Sequence, residues 1–337
     1  MKTLFIYPYT HEIDFLIKMR DRIREYEILK IGCFPEDKNY LERRFPNMEI
    51  SSSYKEGIDS SDVFLPNYDI PDYMAKELES SKMYALKTKK EIIKIEDDFL
   101  ENKNFNGYQM EQVEIPIIAI VGQGEKCSKL ETLLRVQTII KECGYDVVGI
   151  SGNTFSRLFS LEKIPSYFLN ENVGFSQKVF SFNQYISCLC RKKKPELLLL
   201  DIPGGLLPVG DAEYFHFGEL ALVASEAIQI DMAIFNFYYN VFKMTDKELS
   251  RFIREIKRYC MEKYQFPIEF CCICSQYVKT DTEGRKMECL YLKNSFLREH
   301  WGREDEDMIP LWKAENGCMN KKIKKMLRKL EENIEVI

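Results

Sequence analysis

The sequence predicts an α/β protein made of two three-layer domains. Short apolar segments alternate with segments whose apolar residues recur at helical spacing, this alternation occurs in two blocks, and a polar segment separates the blocks. The 337 residues are enough for two domains, because one domain typically takes about 150. Hydrophobic residues make up 45% and charged residues 30% of the chain, which is typical of proteins with packed cores.

The first block has the order of a Rossmann-like domain. "TLFIYPY" reads as a buried strand, residues 11–26 have the spacing of a helix, and "YEILKIGCF" reads as a second strand. A segment rich in Pro, Asn and Ser, residues 35–53, follows and is assigned no strand. A third strand in "SSDVFLPNY" and a helix over residues 72–90 complete the block. His11, just past the first strand, is interpreted as a helix-start residue rather than a catalyst.

The polar segment between residues 96 and 114 marks the domain boundary. Its apolar residues are scattered without a period, so few buried contacts can form across it. We therefore assign residues 1–110 to the first domain and residues 111–337 to the second.

The second block predicts a doubly wound parallel sheet. Its five strand segments are "IPIIAIV", "YDVVGIS", "PELLLLD", "IDMAIFNFYYN" and "PIEFCCICSQY". Helices are predicted over residues 128–143, where Gly144 would form a left-handed cap, over residues 176–192, and over "TDKELSRFIREIKRYCMEKY". "WGREDEDMIPLWK" is predicted as a solvated loop anchored by Trp301 and Trp312. The tail "NKKIKKMLRKLEENIEVI" is an amphipathic helix, more typical of docking or capping than of nucleic-acid binding.

The turn after the first strand of this block has the features of a phosphate-binding loop. Glycines allow several main-chain N–H groups to converge on a phosphate, the following helix adds the positive end of its dipole, and a lysine adds a mobile charge. The nucleotide-binding candidates are Gly122, Gly124, Lys126, Ser128 and Lys129. They predict a P-loop NTPase-like domain.

The loop departs from the pattern G-x-x-x-x-G-K-[ST] at three positions, the first of which is Gln123, where the pattern aligned on Lys129 has its first glycine. Aligned on Lys129, the second glycine of the pattern is Ser128, whose side chain occupies a place where the backbone should approach the ligand. The hydroxyl residue that would bind Mg²⁺ is Leu130, and Thr132 is two residues too far along the helix. Nucleotide turnover is therefore less strongly predicted than nucleotide binding.

Asp201 is the candidate Mg²⁺ ligand, because an acidic residue after an apolar strand can reach a metal bound to phosphates. Gly204 and Gly205 follow and would let the next loop move with the terminal phosphate. The plainer interpretation is that Asp201 ends a strand and the glycines form a turn. With the upstream loop included, the pattern favours ATP or GTP with Mg²⁺ as cofactor.

Two other polar groups are weaker candidates. Asn153, Thr154 and Ser156 follow the second strand of the second domain and could contact a phosphate or a substrate amide, although a plain turn fits equally well. Asp211, Glu213 and His216 could form an acid/base or metal cluster, but they contain a single His and no second motif supports them.

Composition limits the function classes further. A net charge of −5 gives no overall attraction to nucleic acid or an anionic membrane, and no apolar run is long enough for a membrane helix. The eleven cysteines lack zinc-ribbon spacing, and most of them are interpreted as small buried structural residues of a cytoplasmic protein.

The order of four segments resembles that of the peptide maturation system proteins, a bacterial family. These segments are "KTLFIYPY", "IPIIAIVGQGEKCSKLETLLRV", "YDVVGISGNTFSRLF" and "PELLLLDIPGGLLP". In that family, encoded beside Cys-rich precursor peptides, radical-SAM enzymes and carrier-like proteins, the loop usually ends in Gly-Lys. Carried over, those positions are Ser128 and Lys129, so the glycine is absent here.

Two hypotheses about function follow. The resemblance implies an accessory protein of peptide natural-product maturation that binds a nucleotide through a degenerate P-loop, with a precursor peptide or carrier-like protein and the pathway's modifying enzymes as partners. Such a protein could be an NTP hydrolase or an NTP-dependent peptide-modifying component, and related P-loop proteins often form homodimers. The alternative is a non-catalytic scaffold or recognition protein that retains the fold without nucleotide turnover.

Overall fold

The computed structural model describes residues 1–68, 70–93, 109–207, 218–280, 287–303 and 307–334. The chain divides into two compact units, each with its own parallel sheet. Unit 1 comprises Met1–Glu96 with Arg157–Ser160, and unit 2 comprises Asp97–Ser156 with Leu161–Ile337. The short segment Arg157–Ser160 thus belongs with unit 1, although the sequence assigns it to the second domain.

Unit 1 contains a five-stranded parallel sheet. In chain order its strands are β1 (Lys2–Tyr7), β2 (Tyr26–Gly32), β3 (Glu49–Ser51), β4 (Val63–Pro66) and β5 (Glu91–Ile92). In space the order is β3-β2-β1-β4-β5. The helices are α1 (Ile13–Lys18), α2 (Lys38–Arg44), α3 (Tyr54–Asp59) and α4 (Ala75–Lys87).

Two predictions for this unit were wrong in detail. The helix predicted over residues 11–26 is only six residues long and is followed by a 3-10 turn at Arg20–Arg22, none of whose side chains is buried. The segment 35–53 contains both α2 and β3. β3 has three residues, too few to show alternation, and its position as an edge strand depends on pairing with β2.

Unit 2 contains a seven-stranded parallel sheet and a separate hairpin. The sheet strands are β6 (Ile117–Gly122), β7 (Val147–Ser151), β8 (Glu162–Lys163), β9 (Leu197–Asp201), β10 (Met232–Phe237), β11 (Ile268–Ile273) and β14 (Met308–Pro310), and the hairpin strands are β12 (Gln276–Thr280) and β13 (Met287–Tyr291). The spatial order is β14-β11-β10-β6-β9-β7-β8. The helices are α5 (Lys129–Glu142), α6 (Ser166–Leu169), α7 (Phe175–Lys193), α8 (Glu219–Ala227), α9 (Asp246–Tyr264), α10 (Asn294–His300) and α11 (Cys318–Ile334).

The sheet of unit 2 is covered on both faces. Helices α7, α8 and α9 contact one another in succession, and α11 contacts α5. Every residue of β6 is buried, and alternate residues Ile117, Ala119 and Val121 join one core with Phe182 of α7. The prediction of α/β, three-layer, parallel-sheet domains is confirmed.

In unit 2 the boundaries of the three predicted internal helices agree closely with those of α5, α7 and α9. Gly144 has a φ of +97° and its amide donates to the Lys141 carbonyl at 3.0 Å, as a left-handed cap requires. Thr245 and Glu248 form a capping box at the start of α9. α11 buries Met319, Ile323, Met326, Leu327 and Leu330, so it is a capping helix of unit 2.

The differences in unit 2 are in its shorter elements. The five strand segments miss β8, β14 and most of the hairpin, and the helices α6, α8 and α10 were not predicted. The segment interpreted as a solvated loop contains β14, although Trp301 and Trp312 are buried at 3% and 5% exposure and anchor it as expected. All eleven cysteines are free thiols. Within the described ranges, no helix has the length and apolar character to cross a bilayer.

Candidate functional site

The carboxyl ends of β6 and β9 meet where the strand order of unit 2 reverses. From β6 the chain passes through α5 to β7, on the β9 side, whereas from β9 it reaches β10 on the opposite side of β6. In doubly wound sheets a crevice opens at such a point. β6 ends at Gly122 and β9 ends at Asp201, so topology alone brings the two predicted halves of the site to one edge.

The loop between Gly122 and Lys129 keeps a tight curl without the second glycine of the pattern. Ser128, which occupies the glycine position, has a left-handed backbone with φ 55°, and Lys126 has φ 52°. A left-handed residue other than glycine costs roughly 1–2 kcal/mol. The backbone shape that the pattern needs is therefore present, at the expense of strain at Ser128.

Several loop amides are left for a ligand. In the part of the chain that the structure describes, the amides of Gly124, Glu125, Cys127 and Ser128 donate to no protein acceptor. The first amide of the loop, that of Gln123, donates to the Asn236 carbonyl at 2.9 Å. Because α5 begins at Lys129, the positive end of its dipole adds to these donors. The turn has the donors of an anion site.

The space beneath the loop is filled by the side chain of Cys127. Its thiol is fully buried and donates to the Gly124 carbonyl at 2.9 Å. A Cβ atom at Gly122 would overlap Cys127 Sγ, so this position requires glycine. Burial raises the pKa of the Cys127 thiol, which favours its neutral form as packing beneath the loop.

Asn236, at the end of β10, holds the loop from the neighbouring strand. Its Nδ2 donates to the Cys127 carbonyl at 2.8 Å and to Thr132 Oγ1 at 2.9 Å, and the side chain is fully buried. Asn236 also pairs with Gly122 in the strand register. Sequence reasoning missed this residue, because a single Asn in an apolar strand gives no motif.

Lys129 points from the start of α5 towards the glycines that follow β9. Its side chain is 9% exposed and Nζ donates to the Gly204 carbonyl, where Gly204 has φ +76°. Ser128 Oγ donates to Gln276 Oε1 at 2.9 Å, at the start of the hairpin. Lys126 differs from these residues, because its side chain is exposed.

Asp201 lies within the same site and is 4% exposed. Its Oδ2 accepts a hydrogen bond from Ser151 Oγ at 2.6 Å, and its Oδ1 has no partner among the described residues. Burial raises the pKa of the Asp201 carboxyl above its usual value, and the nearby Lys129 ammonium and the Ser151 hydroxyl oppose this rise. Sequence reasoning missed Ser151.

The donors for a metal ion are fewer than in the full pattern. Leu130, at the position where the pattern has a Ser or Thr hydroxyl, is 4% exposed and offers no oxygen. The hydroxyl of Thr132 accepts a hydrogen bond from Asn236 Nδ2. The free Oδ1 of Asp201 is a buried carboxylate oxygen that fits a cation. A magnesium ion would thus have one carboxylate ligand here and would depend on water and phosphate for the others.

The weaker candidates lie outside this arrangement or form ordinary turns. Asn153 Oδ1 accepts from the Phe155 amide at 2.9 Å, which closes a local turn, Ser156 is buried and Thr154 is exposed. His11 lies just before α1, 3.3 Å from the Tyr9 hydroxyl. Asp211, Glu213 and His216 lie outside the described residues.

Fold and site together define a doubly wound α/β protein whose first strand–helix turn has the shape of a phosphate-binding loop. No family model matches the chain, and no curated protein matches it in sequence. A DUF1611 family protein from Anabaena variabilis has a similar structure, with a TM-score of 0.58 at 11% identity over 96% of this chain and 100% of that one. At this identity the likeness is one of fold alone.

Two further solved structures have weaker similarity, with TM-scores too low to carry an argument. Cobyrinic acid a,c-diamide synthase from Mycobacterium smegmatis with bound ADP and magnesium has a TM-score of 0.32 at 13% identity, over 50% of this chain and 76% of that one. The kinase domain of the Escherichia coli tyrosine kinase ETK has a TM-score of 0.33 at 13% identity, over 81% of this chain and 88% of that one.

Proposed function

We propose that the protein binds a nucleoside triphosphate with Mg²⁺ at the carboxyl edge of the unit 2 sheet. The observation that carries this proposal is the convergence of unpaired loop amides, the Lys129 ammonium and the free Oδ1 of Asp201 at one topological switch point. Amides and a lysine bind phosphate oxygens, whereas a carboxylate beside them binds a cation.

Each residue of the site has a separate role in this proposal. The amides between Gly122 and Lys129 bind the phosphate oxygens, and Lys129 exchanges the Gly204 carbonyl for a phosphate oxygen. Lys126, exposed on the loop, adds a second positive charge. Asp201 would hold Mg²⁺, which neutralises phosphate charge when bound. Because Lys129 Nζ donates to the Gly204 carbonyl, its transfer to a phosphate would release the Gly204–Gly205 turn.

Binding is better supported than hydrolysis. The buried Leu130 removes the hydroxyl that would hold the metal, and Ser128 keeps a side chain close to where phosphate would lie. These two positions favour the alternative of a scaffold or recognition protein that retains the fold without turnover. In that case nucleotide binding changes the shape of the protein rather than driving a reaction.

We infer the biosynthetic pathway in which the protein acts from the resemblance of four sequence segments to the peptide maturation system proteins. We place the protein as an accessory component of peptide natural-product maturation in the cytoplasm, with a precursor peptide or carrier-like protein and the modifying enzymes as partners, and with homodimerisation across the nucleotide face. Co-purification with a precursor peptide or carrier encoded beside it tests this role. Absence of any such complex, with and without nucleotide, would remove the pathway from the proposal.

Calorimetry with ATP and GTP in the presence of Mg²⁺ tests nucleotide binding itself. We expect Lys129→Ala to abolish nucleotide binding. We expect Asp201→Asn to make nucleotide binding independent of Mg²⁺. Lys141→Ala is the matched control, because Lys141 is exposed in the last turn of the same helix. If neither nucleotide binds at millimolar concentration, the proposal fails. Binding without phosphate release would select the scaffold alternative.

A further inference from the structure

A second charged recess lies in unit 2 among residues that take no part in the nucleotide site. It encloses about 240 Å³ between α9, β11 and α11. Its charged lining residues are Lys257, Glu269, Asp307, Lys322, Lys325 and Lys329. We refer to it as the lysine recess.

Positive charge is in excess in the lysine recess. Asp307 lies 2.8 Å from the Lys257 ammonium and 3.1 Å from that of Lys322, while Glu269 lies 2.5 Å from that of Lys329. Lys325 is exposed and pairs with no carboxylate within the described ranges. Among the described residues that line the recess, four ammonium groups therefore face two carboxylates, which leaves two positive charges for an external anion.

The three lysines of α11 form a row on a rigid support. Lys322, Lys325 and Lys329 are spaced by three and four residues, so they share one face and span about 10 Å along the axis. The helix is held by the buried side chains of Ile323 and Leu327. Lys325, in the middle of the row, pairs with no carboxylate among the described residues, and a ligand with a matching row of negative charges would supply one to it while sharing the ammonium groups of Lys322 and Lys329 with Asp307 and Glu269.

We propose that the lysine recess binds an acidic helical segment of a partner polypeptide, with carboxylates at positions i, i+3 and i+7. Charge complementarity selects this occupant. The chain as a whole carries a net charge of −5, so it repels an extended polyanion such as nucleic acid or an anionic bilayer. Glu331 and Glu332 are exposed directly after the lysine row and would oppose a ligand whose negative charge continues past it. A short acidic segment carries less negative charge, so the chain repels it less, and it can end before Glu331.

Fluorescence anisotropy of the full chain with a labelled helical peptide tests the proposal. The peptide carries glutamates at i, i+3 and i+7, and a second peptide has glutamines there. We expect only the glutamate peptide to bind, with affinity falling as salt is raised. Lys325→Glu should weaken binding about tenfold or more, because it removes an attraction and adds a repulsion.

Lys324→Glu is the matched control, because Lys324 is exposed on the same helix but is not part of the recess. It makes the same charge change and should leave the affinity nearly unchanged. Circular dichroism verifies that both variants are folded. Equal losses in the two variants, or no binding by the wild-type chain, would overturn the proposal. It would also be overturned if a single-stranded oligonucleotide or vesicles of phosphatidylserine bound more tightly than the peptide.

Discussion

Ser151 and Asp201 lie opposite each other on β7 and β9, and Ser151 Oγ donates to Asp201 Oδ2 at 2.6 Å. This bond occupies one carboxylate oxygen and leaves Oδ1 without a partner in the described part of the chain. A buried carboxylate that is half-satisfied in this way is costly to fold. Its presence at a switch point therefore favours a binding role over a purely structural one.

Ser151→Ala tests the contribution of this pair. Loss of the hydroxyl leaves Oδ2 buried without a donor, so we expect the free energy of unfolding to fall by about 1–3 kcal/mol. Urea denaturation measures the change. Ser156→Ala is the control, because Ser156 Oγ is also buried but has no hydrogen-bond partner among the described residues. Equal destabilisation by both changes would show that the pair contributes nothing specific.

The buried carboxyl of Asp201 also predicts a pH dependence. Since its pKa is raised in the folded state, the folded chain holds the proton more tightly than the unfolded chain. Binding of this proton stabilises the folded chain to its full extent below the usual pKa of 3.8. This stabilisation is lost as the pH rises through the higher pKa of the folded state. An asparagine side chain does not titrate and has no such loss, so Asp201→Asn should gain stability relative to wild type as pH rises.

Urea unfolding of both proteins at about pH 4 and about pH 7.5 measures this difference. Other carboxyl groups titrate alike in the two proteins and cancel. A stability difference that stays constant between these pH values would show that the Asp201 carboxyl is not shifted in the folded state.

The site could be predicted from sequence where local pattern determines geometry. Gly122 follows an apolar strand and Lys129 begins a periodic helix, so a strand–turn–helix was predictable, and the apolar run before Asp201 placed that residue at a strand end. Parallel strands then align their carboxyl ends. The order of the segments along the chain and their hydrophobic periodicity were therefore sufficient to predict the strand–turn–helix at Gly122 and the strand end at Asp201.

The residues that hold the site together could not be predicted in this way. Ser151 and Asn236 act through strands that are neighbours only in the sheet, 50 residues from Asp201 and 109 residues from Cys127. The edge strands β3, β8 and β14 contain two or three residues each, so their identity depends on pairing rather than on any period. The roles of Ser151 and Asn236 and the formation of these edge strands therefore depend on contacts between distant parts of the chain.

Asn236→Ala tests whether β10 holds the loop. The change removes donors to the Cys127 carbonyl and to Thr132 Oγ1, so we expect a loss of about 1–3 kcal/mol in the free energy of unfolding and faster hydrogen exchange of the hydrogen-bonded amides at the two ends of the loop, those of Gln123 and Thr132. Asn240→Ala is the control, because Asn240 makes two similar bonds to Val278 of the hairpin. It should speed exchange in the hairpin and leave the loop unchanged. Faster exchange in the loop of both variants would contradict this role.

Ser128→Gly tests whether the missing glycine weakens nucleotide binding. Glycine adopts the left-handed backbone of position 128 without the roughly 1–2 kcal/mol that serine pays. The change also loses the hydrogen bond to Gln276, worth about 1 kcal/mol, so stability should alter little. Affinity for ATP with Mg²⁺, measured by calorimetry, should nevertheless rise several-fold, because the backbone can then approach phosphate without a side chain between them.

Ser128→Ala is the control for this change. It keeps the Cβ atom and loses the same hydrogen bond, so it should be less stable than wild type and bind ATP no more tightly. If the alanine and glycine variants gained affinity equally, the hydroxyl of Ser128, and not its Cβ atom, would be what limits binding.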